Sequence, residues 1–124
     1  MTSKRTKTRL QTKRIYEEAD PADGQRILID RLWPRGLAKE KAQVDYWAKD
    51  AAPSGELRKW YQHDPEKWEA FRTKYFEELD ASPEAVEALT GFLKPGLNTI
   101  LFASREEDLN NARALVEYLE DRRG

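Results

Sequence analysis

Four residues with side chains suited to ligand binding follow a short apolar run in the first third of the chain. The run covers residues 27–29 and has the composition of a buried strand. The residues that follow it are Asp30, Arg31, Trp33 and Arg35. In open α/β sheets, ligands bind outside the carboxyl ends of the strands. We therefore predict a ligand site at the end of this strand.

The two arginines in this stretch suit an anion, because a planar guanidinium donates paired hydrogen bonds to a phosphate or a carboxylate. We predict that Arg31 and Arg35 bind such a group and that Trp33 covers a flat part of the ligand. Asp30 is the candidate base, or it orients the arginines. The structural alternative is that Asp30 pairs with Arg31 or Arg35 and holds the turn at Pro34.

His63 is the only histidine in the chain. Histidine titrates near neutrality, so His63 is the second candidate for proton transfer, and an exposed helix-end residue is the alternative. A single histidine without carboxylates at matching spacing does not make a metal site. The chain has no cysteine, which excludes disulfides and thiol chemistry. We expect no metal and no cofactor.

Apolar runs predict the strands of a sheet, and the segments between them predict helices. The predicted strands are residues 10–16, 27–30, 44–47 and 99–103. The last run is the most apolar, which indicates a central strand buried on both faces. We expect one compact α/β domain over residues 13–124, with a small, mostly parallel sheet flanked by helices. A basic, flexible arm is expected at residues 1–12.

Capping residues followed by proline or an acid mark the expected helix starts. They lie at Ser54, Asp64 and Ser82. Trp60 and Trp68 fall on apolar helix stripes and are predicted to be core residues. Ser104 and Glu107 have the spacing of a capping box, which predicts that the last helix begins there.

The geometry of the site depends on how the strands at residues 27–30 and 99–103 pair. If they are parallel neighbours, the loops after them face each other at one edge of the sheet. The residues predicted to meet in one concave site there are Arg31, Trp33, Arg35 and Asn110 or Asn111. His63 joins this site only if the junction before Pro65 folds over the same edge.

The net charge of -1 conceals an uneven distribution. Residues 1–14 hold 6 basic groups and no acid, which leaves 16 basic against 23 acidic groups, a net of -7, in the rest. A basic arm can follow phosphates, so nucleic acid is an alternative partner. The other interpretation is a frayed terminus. The acidic remainder is a poor surface for duplex binding.

Membrane insertion and secretion are not expected from this sequence. No apolar run approaches the roughly 20 residues that span a bilayer. No apolar stretch follows the basic N-terminus, so we expect no secretory signal and a cytoplasmic location. The oligomeric state is left open.

Three stretches resemble the domain of unknown function 488 family, in its YeaO-like branch. They read D-G-Q-R-I-L-I-D-R-L-W-P-R-G-L, W-A-K-D-A-A-P-S-G-E-L-R-K-W and H-D-P-E-K-W-E-A-F. The resemblance covers about Lys13 to Tyr118, and the family's function is not established. It implies a compact, bacterial-type α/β domain. The shared motifs direct interest to Asp30, Arg31, Trp33, Pro34, Arg35, Gly36, Trp60, His63 and Asn111.

Longer relatives carry a cysteine pair ending in Cys-His-Arg, where this chain has Asn111, Ala112 and Arg113. Their thiol, metal or redox chemistry is therefore not carried over. We expect an arginine-lined site for a small anionic ligand that bears a phosphate or a carboxylate, with an unidentified reaction. The alternative is a non-enzymatic module that binds single-stranded nucleic acid or has a regulatory role.

Overall fold

A four-stranded sheet forms the centre of the structure, a computed structural model that describes residues 7–123 and the side chains up to residue 121. Its strands are β1 (Thr8–Arg14), β2 (Gln25–Leu28), β3 (Tyr46–Trp47) and β4 (Gly96–Phe102). The order is β1-β4-β2-β3, and the three pairings are parallel. This confirms the predicted α/β fold with a small parallel sheet. The strands β2 and β4 are parallel neighbours, which was the condition for their loops to meet at one edge.

Within residues 7–123, five helices connect and cover the strands. They are α1 (Lys39–Ala42), α2 (Gly55–Tyr61), α3 (Trp68–Asp80), α4 (Pro83–Phe92) and α5 (Asn111–Arg123). Short 3-10 turns cover Pro21–Asp23, Lys49–Ala51 and Pro65–Lys67. Ser54 caps α2 as predicted, because its Oγ accepts a hydrogen bond of 3.1 Å from Leu57 N.

The sheet separates two groups of apolar side chains. The larger group packs helices α2 to α5 against one face and includes Ile27, Ile100 and Phe102. The smaller group lies on the other face and includes Leu28 and Leu101. Because consecutive residues of β4 point to opposite faces, this strand is buried on both sides, as its composition predicts.

Trp60 does not belong to the core, contrary to its predicted position. Its side chain is 38% exposed, and the ammonium groups of Lys67 and Lys74 lie 5.0 and 5.3 Å from its ring centroid. The buried face of α2 is formed by Leu57 and Tyr61. Trp60 precedes Tyr61 by one residue and is turned about 100° away from it, toward solvent.

The N-terminal strand takes up part of the segment that was assigned to a flexible arm. Residues 8–12 lie in β1 and pair with β4. Lys13 forms an ion pair of 3.0 Å with Asp23, and Arg14 donates to the carbonyl oxygens of Ser104 and Ala103. Residues 1–6 lie outside the described part of the chain. Lys13 and Arg14 are therefore engaged within the fold.

Helix α5 begins at Asn111, seven residues after the predicted start at Ser104. The Glu106 carboxylate accepts hydrogen bonds of 3.0 Å from Asp108 N and Leu109 N, which holds this segment as a turn instead of a helix. Asn110 is fully buried, and its Oδ1 accepts 2.9 Å from Arg113 N. Asn110 is therefore the N-cap residue of α5.

This difference gives a direct test of the helix start. We expect Asn110→Ala to lower the free energy of unfolding by about 1 kcal/mol, the usual cost of losing an N-cap. Ser104→Ala is the matched control and should change it by less than about 0.5 kcal/mol. Urea denaturation of both variants measures the two costs. A larger loss for Ser104→Ala than for Asn110→Ala would contradict the cap assignment.

Candidate functional site

A cavity of about 660 Å³ opens where β2 and β4 end, which is in the size range of small-ligand sites. We call it the Asp30 cavity. Its floor is formed by Asp30, Ala103, Ser104 and Asn111. Its wall is formed by Gly55, Arg58, Lys59, Gln62 and His63. Tyr61, Phe71 and Leu32 add an apolar surface between them.

The floor joins the ends of two strands to the start of α5. Asn111 Nδ2 donates to Ile29 O at 2.6 Å and to Asp30 Oδ1 at 3.0 Å. Ala103 N donates to Asp30 Oδ2 at 2.9 Å. The carboxylate of Asp30 is therefore fixed by hydrogen bonds from both neighbouring elements, and its position is set before any ligand arrives.

Burial raises the pKa of Asp30 above its ordinary value. The hydrogen bonds from Asn111 and Ala103 N act against this effect, as do the charges of Arg58 and His63. The sequence left open whether Asp30 pairs with Arg31 or Arg35. The structure gives it neutral hydrogen-bond donors instead, so this part of the structural alternative is wrong.

One face of α2 supplies the basic part of the wall. Gly55, Arg58, Lys59 and Gln62 recur at helical spacing, so they lie on the same side of the helix. In the part of the chain that the structure describes, no group accepts a hydrogen bond from the Arg58 guanidinium. The sequence analysis missed Arg58 and Lys59, although this spacing opposite Leu57 could have indicated a polar face.

The end of α2 brings His63 to the cavity. Gln62 and His63 have φ angles of 47° and 56°, in the left-handed region, so the chain turns sharply before Pro65. The His63 ring lies 5.4 Å from the Tyr61 ring, measured between centroids. The pKa of Glu106 is lowered, mainly by hydrogen bonds from Leu109 N and Asp108 N and also by the charge of His63.

Tyr61 fixes the apolar part of the cavity. Its hydroxyl donates to Leu109 O at 2.7 Å, and its ring stacks on Phe71 with 4.2 Å between centroids. Burial, followed by the charges of Glu106 and Asp64, raises the pKa of Tyr61 to about 12. The hydroxyl therefore remains protonated near neutral pH and acts as a hydrogen-bond donor.

The predicted convergence of Arg31, Trp33 and Arg35 on this site is wrong. Arg31 donates to Ala52 O at 2.6 Å and to Pro53 O at 3.3 Å, so its guanidinium satisfies the segment before α2. Consecutive residues of an extended chain point to opposite sides, and Asp30 takes the side of the cavity.

Trp33 and Arg35 also lie elsewhere. Trp33 Nε1 donates to Leu37 O at 2.8 Å, and its ring meets Trp47 edge-on with 5.5 Å between centroids. It therefore packs on the opposite face of the sheet. The Arg35 side chain is exposed. Of the two candidate asparagines, Asn111 lines the cavity and Asn110 caps α5.

The described residues contain no cluster of three or more metal-ligand side chains. Within the same part of the chain, no helix has the length and apolar content that a membrane span requires. The structure thus brings Asp30, His63 and Asn111 together at one cavity, and the roles assigned to them stay predictions.

Comparison with known proteins gives one family and several relatives. Residues 9–123 match the family described as the inactive DUF488-N3 subclade, DUF488-N3i. The uncharacterised protein Rv3073c of Mycobacterium tuberculosis is 43% identical over 117 residues, which are 93% of this chain and 97% of that protein. The uncharacterised protein YeaO of Escherichia coli is 36% identical over 110 residues, 89% of this chain and 96% of that protein. No solved structure matches significantly.

Proposed function

Since the chain belongs to the DUF488-N3i family, the inactive DUF488-N3 subclade, we propose that it binds a small anionic ligand in the Asp30 cavity without transforming it. The family assignment confirms the resemblance that the sequence motifs indicated. The family's description as inactive supports binding over catalysis. The proton-transfer roles predicted for Asp30 and His63 stay predictions, and the proposal uses these residues only as hydrogen-bonding groups.

The observation that carries the proposal is the unpaired guanidinium of Arg58 at the cavity wall. The partly buried Arg31 donates to two carbonyl oxygens, whereas Arg58 is exposed at the cavity wall and its donors are free for a ligand. Arg58 has no such partner in the described chain, and Lys59 stands next to it on α2. Two adjacent cations at a concave surface attract a phosphate or a carboxylate.

The charge of the floor does not cancel this attraction. Among the described residues, Asp30 is the only acid that lines the cavity, against Arg58, Lys59 and His63. Each oxygen of its carboxylate accepts one hydrogen bond, from Asn111 and from Ala103 N, which stabilises part of its negative charge. Burial also raises its pKa, which reduces its negative charge as the pH falls. The wall of the Asp30 cavity therefore remains the basic side.

We expect Arg58→Gln to weaken anion binding by about tenfold or more, because a hydrogen bond to a charged group contributes about 1.5–3 kcal/mol. Thermal shift with inorganic phosphate, glucose 6-phosphate, adenosine monophosphate and 3-phenylpropanoate finds the anions that bind. Isothermal titration then compares the variant with the unmodified chain. The matched control is Arg113→Gln, which removes the same charge from an exposed position on α5.

The ligand roles first predicted for Arg31, Trp33 and Arg35 are tested in the same experiment. If the double variant Arg31→Ala/Arg35→Ala loses the response to anions while Arg58→Gln keeps it, the ligand lies outside the Asp30 cavity. If no anion raises the melting temperature of the unmodified chain, anion binding itself is refuted, since a bound ligand stabilises the folded state by mass action.

Binding of single-stranded nucleic acid has less support. It depended on the basic N-terminal segment, in which Lys13 is paired with Asp23 and Arg14 is bonded to two carbonyl oxygens. Lys4 and Arg5 lie outside the described residues. Binding of a small ligand in the Asp30 cavity is therefore the function that the geometry favours.

A further inference from the structure

The floor of the Asp30 cavity offers hydrogen-bond acceptors. Asp30 Oδ1 and Oδ2 each accept one hydrogen bond from the protein, and a carboxylate oxygen can accept two. The Asn111 amide nitrogen uses both of its hydrogens, on Ile29 O and on Asp30. Its Oδ1 receives no hydrogen bond from any described residue. A ligand group at this floor must therefore donate hydrogen bonds.

The wall offers the opposite chemistry. Arg58 and Lys59 donate hydrogen bonds and carry positive charge, and Arg58 has no acceptor in the described part of the chain. An acidic group of a ligand fits there. The same acidic group does not fit the floor, because its oxygens would lie against the Asp30 carboxylate and like charges repel each other.

Apolar side chains also line the cavity. The Tyr61 and Phe71 rings stack on each other, and both contact the cavity. Leu32 also lines it and is 71% exposed. A ligand with an apolar group would cover this leucine.

We propose that the Asp30 cavity binds a free α-amino acid with an apolar side chain. The ammonium group donates to Asp30 and Asn111 Oδ1, and the carboxylate accepts from Arg58. The apolar side chain packs against Tyr61, Phe71 and Leu32. This inference rests on the proposed function, and it assigns the anionic group bound by Arg58 to the carboxylate of an amino acid.

The electrostatics of Asp30 agree with a cation at the floor. Burial raises the pKa of Asp30 in the absence of a ligand, which means that the surrounding groups do not fully stabilise the ionised carboxylate. An ammonium group in contact with it supplies that compensation. The charges of Arg58 and His63 lower the pKa of Asp30 but do not outweigh burial, so Asp30 can still gain from a further positive charge.

The test removes one ligand group at a time and leaves the protein unchanged. A thermal-shift screen of the twenty amino acids selects the one that stabilises the chain most. Isothermal titration then compares it with its deaminated acid and its decarboxylated amine. For phenylalanine these are 3-phenylpropanoate and phenethylamine, and for leucine they are 4-methylpentanoate and 3-methylbutylamine. We expect the amino acid to bind about tenfold or more tightly than either analogue.

Two variants assign the groups to the two sides of the cavity. Arg58→Gln should weaken the amino acid and the deaminated acid alike, and should leave the amine unchanged. Asp30→Asn should remove the preference for the amino acid over the deaminated acid. Circular dichroism first establishes that each variant is folded. If Asp30→Asn does not fold, the comparison of the three ligands on the unmodified chain still decides.

The inference and the proposed function fail in different ways. If the deaminated acid binds as tightly as the amino acid and depends on Arg58, the anion site stands and the amino-acid class is wrong. The same conclusion holds if only phosphates bind. If neither amino acids nor any tested anion binds, both proposals are refuted.

Discussion

Replacing Asp23 by alanine is expected to lower the free energy of unfolding by about 3–5 kcal/mol, the cost of removing one partner from a buried ion pair. Asp23 accepts hydrogen bonds from Arg26 and from Lys13, and Arg26 is only 4% exposed. Without Asp23, the Arg26 guanidinium keeps only the carbonyl oxygens of Ala42 and Gln43 as partners, and its charge stays uncompensated.

Urea denaturation measures this loss, and Asp121→Ala is the control because it removes an exposed acid from α5. The control should change stability by less than about 0.5 kcal/mol.

The pH dependence of stability gives a second measurement of the role of Asp23. Burial acts to raise the pKa of Asp23, but bonds from Lys13, Asp20 N and Arg26 lower it overall. The stability due to Asp23 is therefore present above its unfolded pKa of about 3.9 and is lost as the pH falls through the lower folded value. Equal losses for both variants would contradict this role.

The ion pair also shows what the sequence could and could not predict. Pro21, Asp23 and Gly24 are residues typical of a turn, and the structure has one there. Gly24 has a φ of 69°, and a Cβ atom on it would lie 2.0 Å from Leu97 O, so the turn requires glycine. The Lys13 partner of Asp23 could not be predicted, since Lys13 comes from β1, whose position beside Asp23 is set by the pairing of β1 with β4.

Local patterns predicted the strands and most helices because burial and capping act over a few residues. The runs at residues 27–29 and 99–102 are buried, and Ser54 caps its helix. The predicted start of α5 at Ser104 was wrong, because Ser104 and Glu107 match a capping box in spacing alone. The residue that caps α5 is Asn110, whose side chain is buried in the tertiary structure.

The sequence could predict which edge of the sheet would carry polar residues, because the carboxyl ends of β2 and β4 share that edge. Asp30 and Asn111 lie beside each other there, and the functional roles of the site residues stay predictions. The direction of the Arg31 side chain could not be read from the sequence, because the carbonyl groups that hold it come from Ala52 and Pro53. The position of α2 over this edge of the sheet is set by tertiary packing, so the sequence did not indicate that Arg58 would line the site.

Phe71→Ala is expected to lower the free energy of unfolding by about 3–5 kcal/mol, the usual cost of truncating a buried phenylalanine. Phe71 is 2% exposed, and its ring contacts Tyr61, Trp68 and Tyr75. Urea denaturation measures the loss. Phe71→Leu keeps most of the volume and should cost less than about 1.5 kcal/mol. A loss in Phe71→Ala no larger than that of Phe71→Leu would show that the aromatic group is not packed as described.

Comparing Phe71→Ala with Arg58→Gln also separates the apolar contribution to ligand binding from the contribution of charge. Phe71 supports the Tyr61 ring, which lines the Asp30 cavity beside it. Truncation should therefore weaken binding of an apolar ligand together with stability. Arg58→Gln changes an exposed side chain and should weaken binding while stability changes by less than about 0.5 kcal/mol. If Phe71→Ala, at a temperature where it is folded, bound the ligand as tightly as the unmodified chain, the ligand would not contact the apolar surface of the cavity.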